Sequence, residues 1–409
     1  MARYGNGRRR TFLKASGLMM IGLVAGCLDS GSTGTGGDGE GTPIKVGATL
    51  PLSGAYSDTG VFVRDGYRQW ETEINEGDGL LGRDVNLIIE DDQSEPSQGV
   101  SLLQRLINQE NVDLLLGGYP GSTAAGQMQV ADEQGMTYIS MGGHMSSFEQ
   151  GFEYTFGAPP LMGQWWYNGF FNWLSNQPKD MWPAKAAAIT IDNPVGQAIY
   201  ECTTRNLNNL GIPLEMDERY GLPLDSAQSL VSQAKNINAD LFIANGFFPD
   251  GVQTVQAVHD VEYRPKAFLQ GVGSLTPAWE EELGELGNYI VSGTSMHPDL
   301  PFEGIDQLKQ AASQRYDRNT TPQYFMFGYS WAETLQQGVE GAGNIDNTAI
   351  KDWLHNNCVQ TVGGEYCFDE RGLPDPIEYA TQVQDGTAEL TWPSDVATTE
   401  VVYPYGEQF

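Results

Sequence analysis

The run Ile44-Lys45-Val46-Gly47-Ala48-Thr49-Leu50, with the turn-forming segment Pro51 to Gly60 behind it and Val85-Asn86-Leu87-Ile88-Ile89-Glu90-Asp91-Asp92 further on, decides the fold. Ile44, Val46 and Ala48 alternate with polar or small residues, the period of a strand. Val63, Tyr67, Trp70 and Ile74 then recur at helical spacing, and a Gly-rich break from Glu76 to Gly82 ends that helix. Val85, Leu87 and Ile89 alternate again and finish on the acids Asp91 and Asp92. A strand, a helix and a second strand in this order predict a βαβ unit with parallel strands.

Outward from this unit the rhythm repeats. Helices are predicted around Val100–Ile107 and Ser122–Glu133, and strands over Val112–Leu116 and Met136–Met141. After Phe152–Phe156 and Pro159-Pro160 a second series follows, with strands at Ala186–Ile191, Ala239–Ala244, Ala267–Leu269 and Tyr289–Ser292. Its helices are predicted at Trp165–Leu174, Val195–Leu210, Ser226–Ile237 and Gly251–Val261. Long helices at Glu303–Tyr316 and Tyr324–Ala342, a further one at Ile350–Asn357, and hairpin-like strands from Glu378 to Trp392 complete the chain. The fold class is α/β: two doubly wound parallel-sheet lobes joined by a three-stranded hinge, with a cleft between them.

The string Ile74-Asn75-Glu76-Gly77-Asp78-Gly79-Leu80-Leu81-Gly82-Arg83, followed by Ile89-Glu90-Asp91-Asp92-Gln93-Ser94-Glu95-Pro96, resembles the signature of the branched-chain amino acid (Leu/Ile/Val) type of periplasmic solute-binding protein. Leu50-Pro51-Leu52-Ser53-Gly54, with Gly60 beyond, resembles that family's first ligand loop. The resemblance implies a type I periplasmic-binding fold with lobe 1 from residues 43–157 and 297–367, and lobe 2 from 158–296 and 368–409. It also implies an ABC importer, whose permease and ATPase are separate chains, and a monomeric binding protein without cofactor that captures a small amino acid or related carboxylate or amide.

Ligands of open parallel sheets bind beyond the carboxyl ends of the strands. Gly117-Gly118-Tyr119-Pro120-Gly121-Ser122-Thr123 is such a loop: its glycines let backbone approach a ligand, and Ser122 can cap the next helix. The resemblance carries the ligand-carboxylate role to Gly121, Ser122 and Thr123; the plain alternative is a Gly-rich turn with an ordinary cap. Gly143 and His144 stand in the matching backbone-contact turn, with His144 where a small polar residue is usual. On the facing lobe, Val195 replaces an aromatic residue that stacks on the ligand, and Phe247, in Gly246-Phe247-Phe248-Pro249-Asp250, is the expected pocket wall or else a core aromatic. Gln270 lies where amino-acid binders carry a glutamate for the ligand ammonium. A neutral amide cannot supply that charge, so either Asp192 or Asp250 takes over or the ligand is not an α-amino acid. Trp165, Trp166 and Tyr167 are expected to pack beside the hinge or line the cleft.

The amino terminus reads as an export signal. Arg9-Arg10-Thr11-Phe12-Leu13-Lys14 resembles a twin-arginine motif, and a short apolar core ends at Val24-Ala25-Gly26-Cys27, which resembles a lipobox. Residues 1–26 are thus the expected leader, Cys27 the lipidated residue, and 27–42 a Gly/Ser/Thr linker able to reach roughly 20 Å. The protein is expected on the outer face of the cell membrane. Cys358 and Cys367 flank a Gly-Gly turn, a spacing that fits a small disulfide loop and equally two free thiols, while Cys202 falls at an apolar helix position.

Of 22 basic residues, five (Arg3, Arg8, Arg9, Arg10, Lys14) precede Cys27, where there are no acids; the remainder carries 17 basic against 53 acidic residues, a net of −36. That charge argues against nucleic acid and anionic membrane surfaces as partners. The acids read either as a cation-binding surface or, being scattered and not clustered, as the hydrated coat expected of a protein from an extreme halophile. No Gly-x-Ser-x-Gly, P-loop or His-Glu-x-x-His pattern occurs and the four histidines are isolated, so enzyme and metal functions have no motif to rest on. The other classes kept open are an extracellular ligand-sensing receptor subunit of the same fold and a secreted hydrolase.

Overall fold

The computed structural model describes residues 41–141, 147–159, 165–316, 321–374 and 379–409. The leader, Cys27, Gly143 and His144 lie outside the described residues. The chain begins β1 (Ile44–Leu50), α1 (Ser57–Glu76), β2 (Val85–Asp91), α2 (Pro96–Asn108), β3 (Leu114–Leu116), α3 (Gly121–Glu133), β4 (Tyr138–Met141) and β5 (Thr155–Ala158). These strands form a parallel five-stranded sheet in the order β2-β1-β3-β4-β5. Leu114 and Leu116 pack into the apolar layer on one face and Leu115 into that on the other, all fully buried. Coverage of both faces explains why β3 reads as an unbroken leucine run.

The second series is α4 (Asn168–Ser175), β6 (Ala186–Ile191), α5 (Pro194–Leu210), β7 (Leu214–Tyr220), α6 (Ala227–Asn236), β8 (Leu241–Asn245), α7 (Phe248–Asp260), β9 (Ala267–Gln270), α8 (Ala278–Leu283) and β10 (Val291–Thr294). The chain then returns to the first sheet through α9 (Ile305–Tyr316), α10 (Gln323–Ala342) and α11 (Asn347–Asn356) and makes the small hairpin β11 (Cys358–Thr361) and β12 (Gly364–Cys367). It ends in β13 (Tyr379–Gln384) and β14 (Thr387–Trp392), an antiparallel hairpin on the edge of the second sheet, whose order is β14-β13-β10-β9-β8-β6-β7. The chain therefore passes between the sheets after β5, after β10 and after β12.

Four elements differ from expectation. β7 is an edge strand in which only Met216 and Tyr220 are buried, so its exposed charges hide the alternation. The six-residue α8 is too short to show a helical period. β11 and β12 each span four residues, with Cys358 directly opposite Cys367; the two are disulfide-bonded, Cα atoms 4.1 Å apart. Cys202 is a buried free thiol on α5.

α10 closes the first lobe by lying along α1, and glycines set how close the two come. A Cβ on Gly66 would stand 2.2 Å from the Phe325 carbonyl oxygen, and one on Gly328 would stand 2.4 Å from that of Val63. Both contacts are with backbone, which cannot swing aside. Gly66→Ala is therefore expected to lower unfolding free energy by about 1–3 kcal/mol through overpacking. Urea denaturation checks this, and an unchanged midpoint would show that the helices separate without cost.

Candidate functional site

Parallel strands in each sheet send their helices off from the same edge, and the two edges meet at Tyr56. Tyr56 is the N-cap residue of α1, on the loop after β1. Its ring lies against Phe247, the N-cap residue of α7 in the second lobe, with centroids 5.1 Å apart. Its hydroxyl lies close to Ser122 in the first turn of α3 and to Asn193, the N-cap of α5. Four helix N-termini, two from each lobe, thus converge on one phenol. Burial, reinforced by the nearby Asp250 charge, raises the Tyr56 pKa above the ordinary phenol value against the pull of Ser122 and Asn193.

The loop before α3 is held from below. Tyr138 accepts the Gly118 N–H at 2.7 Å and donates to Gln127 Oε1 at 2.9 Å, while Tyr67 donates to the Gly117 carbonyl at 2.8 Å. This fixes the turn that presents Gly121, Ser122 and Thr123. Ser122 does not cap the helix, because α3 already begins at Gly121 with Pro120 as N-cap. Instead Ser122 Oγ and Thr123 Oγ1 are both shut off from solvent without a well-formed hydrogen bond. A shielded hydroxyl left unpaired costs about 1–3 kcal/mol, which an incoming acceptor would relieve. Within the first turn of α3 the Thr123 and Ala124 N–H groups bond the Pro120 carbonyl at 2.9 and 3.0 Å, so Gly121 and Ser122 present the N–H groups that the helix itself does not use, and its dipole favours an anion there.

In the second lobe, Asn193 Oδ1 caps α5 by accepting the Gly196 N–H at 2.8 Å, which leaves its amide nitrogen as the donor toward Tyr56. Asp250 is almost fully buried and its carboxylate accepts the Phe247 N–H at 3.1 Å and the Tyr220 hydroxyl. Burial pushes its pKa up to about 6 in spite of those donors.

The remaining expected site residues fall beside this meeting point. Val195, 2 % exposed, belongs to the apolar core under the start of α5. Gln270, fully buried, donates to the Phe247 and Gly246 carbonyls at 3.2 and 3.4 Å and accepts the Ser274 N–H at 3.2 Å, so both ends of its amide are occupied within the lobe. Trp166 and Tyr167 are buried and bond to the Gly271 carbonyl and to Asn245. Asp192 is exposed. Sequence reasoning passed over Tyr56 and Asn193, although both lie in loops it had marked.

A cavity of about 10 Å³ lies between Tyr56, Asp58, Thr59, Phe247, Phe248 and Gly273. Larger open grooves lie elsewhere, among them one of about 620 Å³ beside His297 and Lys309 and one of about 670 Å³ beside Trp173 and Trp392. The first takes in the N-caps of α8 and α10, Pro277 and Pro322, but it is also lined by Glu280, Glu281 and Glu389, and the charges of Lys309 and Asp299 in it are already paired at 2.8 Å, so the chemistry favours the cleft. Among the described residues no cluster of His, Cys, Asp or Glu could hold a metal ion.

The periplasmic binding protein family model matches residues 43–387. The chain belongs to that family. A curated relative, Leu/Ile/Val-binding protein homolog 1 of Brucella suis, is 25% identical over 343 residues, covering 81% of this chain and 87% of the relative. Among solved structures, the branched-chain amino acid transporter substrate binding protein LivJ of Streptococcus pneumoniae, in complex with isoleucine, superposes with a TM-score of 0.74 at 18% identity, covering 89% of this chain and all of that one. A solute binding protein of an ABC transporter from Rhodopseudomonas palustris, in complex with 3,4-dihydroxybenzoic acid, gives 0.73 at 15% identity over 89% of this chain and 99% of that one. The fold is therefore that of type I periplasmic binding proteins, and the family is one of solute binders, not enzymes.

Two measurements test this geometry. Ser122→Ala should weaken ligand binding about tenfold with little change in melting temperature, since it removes a hydroxyl of the first turn of α3 whose one neighbour across the junction is the Tyr56 phenol. A stability loss with intact affinity would assign Ser122 to packing alone. Because the Asp250 pKa is raised on folding, the folded state holds the proton more tightly, and the stabilisation present below pH 4 is lost as pH rises through about 6. The stability of the parent minus that of Asp250→Asn should accordingly fall by about 2–3 kcal/mol between pH 4 and pH 7 and stay level above; a difference independent of pH would mean that the carboxyl is solvated.

Proposed function

We propose that the protein is the lipid-anchored solute-binding component of an ABC importer, capturing a small amino acid or related carboxylate or amide between its lobes. The observation that carries this reading is the Tyr56 junction. Phe247 and Asn193 come from the second lobe and Ser122 from the first, so a ligand on Ser122 gains the second lobe's contacts only when the lobes close. That difference in affinity is what shifts a hinged protein toward its closed form. The permease and ATPase, as separate chains, would recognise the closed lobes. Gly121, Ser122 and Thr123 hold the ligand's carboxylate, and Phe247 and Tyr56 form the apolar wall.

The twin-arginine run, the apolar core and Cys27 support export and lipid attachment, and the linker gives the body slack over the membrane. Among the described residues no helix is long and apolar enough to cross a membrane. The lipid on Cys27 would then serve as the anchor.

The deciding experiment combines binding and anchoring. The exported protein is titrated with amino acids, short amides and small carboxylates while its melting temperature is followed. A true ligand at 100 times its dissociation constant adds about 2.7 kcal/mol of stability. Cys27→Ser should release the protein from washed membranes and abolish incorporation of labelled lipid. Membrane retention of Cys27→Ser would overturn the anchor, and a panel without any thermal shift would overturn the capture of small solutes.

A further inference from the structure

Resting on the reading of the Tyr56 junction as the ligand cleft, we propose that the cleft selects small organic carboxylates that carry no ammonium group. The first turn of α3 is the seat of the carboxylate, and the Tyr56 and Phe247 rings are the wall for its carbon skeleton.

The groups that line the junction are donors. Ser122 Oγ is shielded from solvent with the Tyr56 hydroxyl beside it, and Thr123 Oγ1, on a fully buried residue, has no partner. Asn193 offers its amide nitrogen, since its oxygen is occupied by the Gly196 N–H. The helices that begin here, α1, α3, α5 and α7, span 20, 13, 17 and 13 residues, so each brings the positive end of a full dipole. An oxyanion fits such a setting. An α-amino acid brings a second, positive group into the same place, and in a closed cleft that group needs a carboxylate of its own.

Among the described residues no carboxylate near Tyr56 is free to receive it. Gln270 is a neutral amide with both ends engaged inside its lobe. A Cβ on Gly251 would stand 2.6 Å from its Nε2, so the first turns of α7 pack directly on this amide and hold it in place. Asp250 is the one buried acid felt at Tyr56, and its oxygens face inward to the Phe247 N–H and the Tyr220 hydroxyl. Asp58, Glu95 and Asp192 are exposed, where water screens them. Asp91 is taken up by the N–H groups of Leu52, Ser53 and Gln93. Asp92 is fully buried, with Oδ1 on the Ser94 N–H and Oδ2 without a partner; burial raises its pKa to about 7, which disfavours the charged form, and its charge is not among those felt at Tyr56.

The test is calorimetric titration of the purified protein with matched pairs that differ only by the ammonium, such as 4-methylpentanoate against leucine and 3-phenylpropanoate against phenylalanine, extended down to propanoate against alanine. The acid of a pair is expected to bind at least about tenfold more tightly than the amino acid. Gln270→Glu should reverse or erase that preference by supplying the missing charge. Amino acids that bind as tightly as their acids overturn the inference while leaving the cleft reading intact. A loss of amino-acid affinity confined to Asp250→Asn overturns it too, by showing that Asp250 receives the ammonium. If neither member of any pair binds, the cleft reading itself fails and the inference falls with it.

Discussion

Parallel strand pairing is the constraint on which the site depends. Strands that run the same way release their connecting helices from one edge of the sheet, so β1 and β3 deliver the N-termini of α1 and α3 together, and β6 and β8 deliver those of α5 and α7. Each sheet alone would present two partly positive helix ends to water, where they are worth little. Turning the two edges toward each other places all four around the Tyr56 phenol, out of solvent, where fixed dipoles act more strongly. The return of the chain through α10 keeps this arrangement, because the glycine-mediated approach of α10 to α1 fixes the helix whose first turn carries Tyr56.

Much of this frame is legible in the sequence because burial on both faces writes strands as apolar runs and helices as apolar stripes. Leu114 to Leu116 and Ala186 to Ile191 are fully buried and could be read directly. Legibility fails where burial is one-sided or brief. β7 lies at the sheet edge, with Glu215, Asp217, Glu218 and Arg219 exposed, and its loss from the sequence reading also hid Tyr220, the partner of Asp250. α8 and the β11–β12 hairpin are shorter than the period needed to reveal them, and only the paired cysteines hinted at the hairpin.

The site was legible to the level of loops and not of side chains. Strand order names the loops, and residue chemistry within them pointed to Ser122 and Phe247. Which side chain crosses from one lobe to the other depends on how two separately folded sheets face each other, and no local pattern encodes that. Tyr56 was one polar aromatic among turn residues, and Asn193 an ordinary cap. Val195 and Gln270 were placed by position along the chain; in the fold the first is core and the second braces the turn between Gly246 and Ser274.

The anion-seeking cleft proposed above sits in tension with a chain whose residues after position 26 carry −36. Scattered surface carboxylates produce a long-range potential that repels a carboxylate ligand in dilute buffer and slows its approach. The helix ends and hydroxyls act only at contact distance. Salt therefore separates the two. At about 1 M the screening length falls to roughly 3 Å, which damps the long-range repulsion and leaves hydrogen bonds at the junction in place. Concentrated salt removes the repulsion and leaves the attraction, so an acidic exterior and a donor-lined cleft conflict in dilute solution and are compatible in brine.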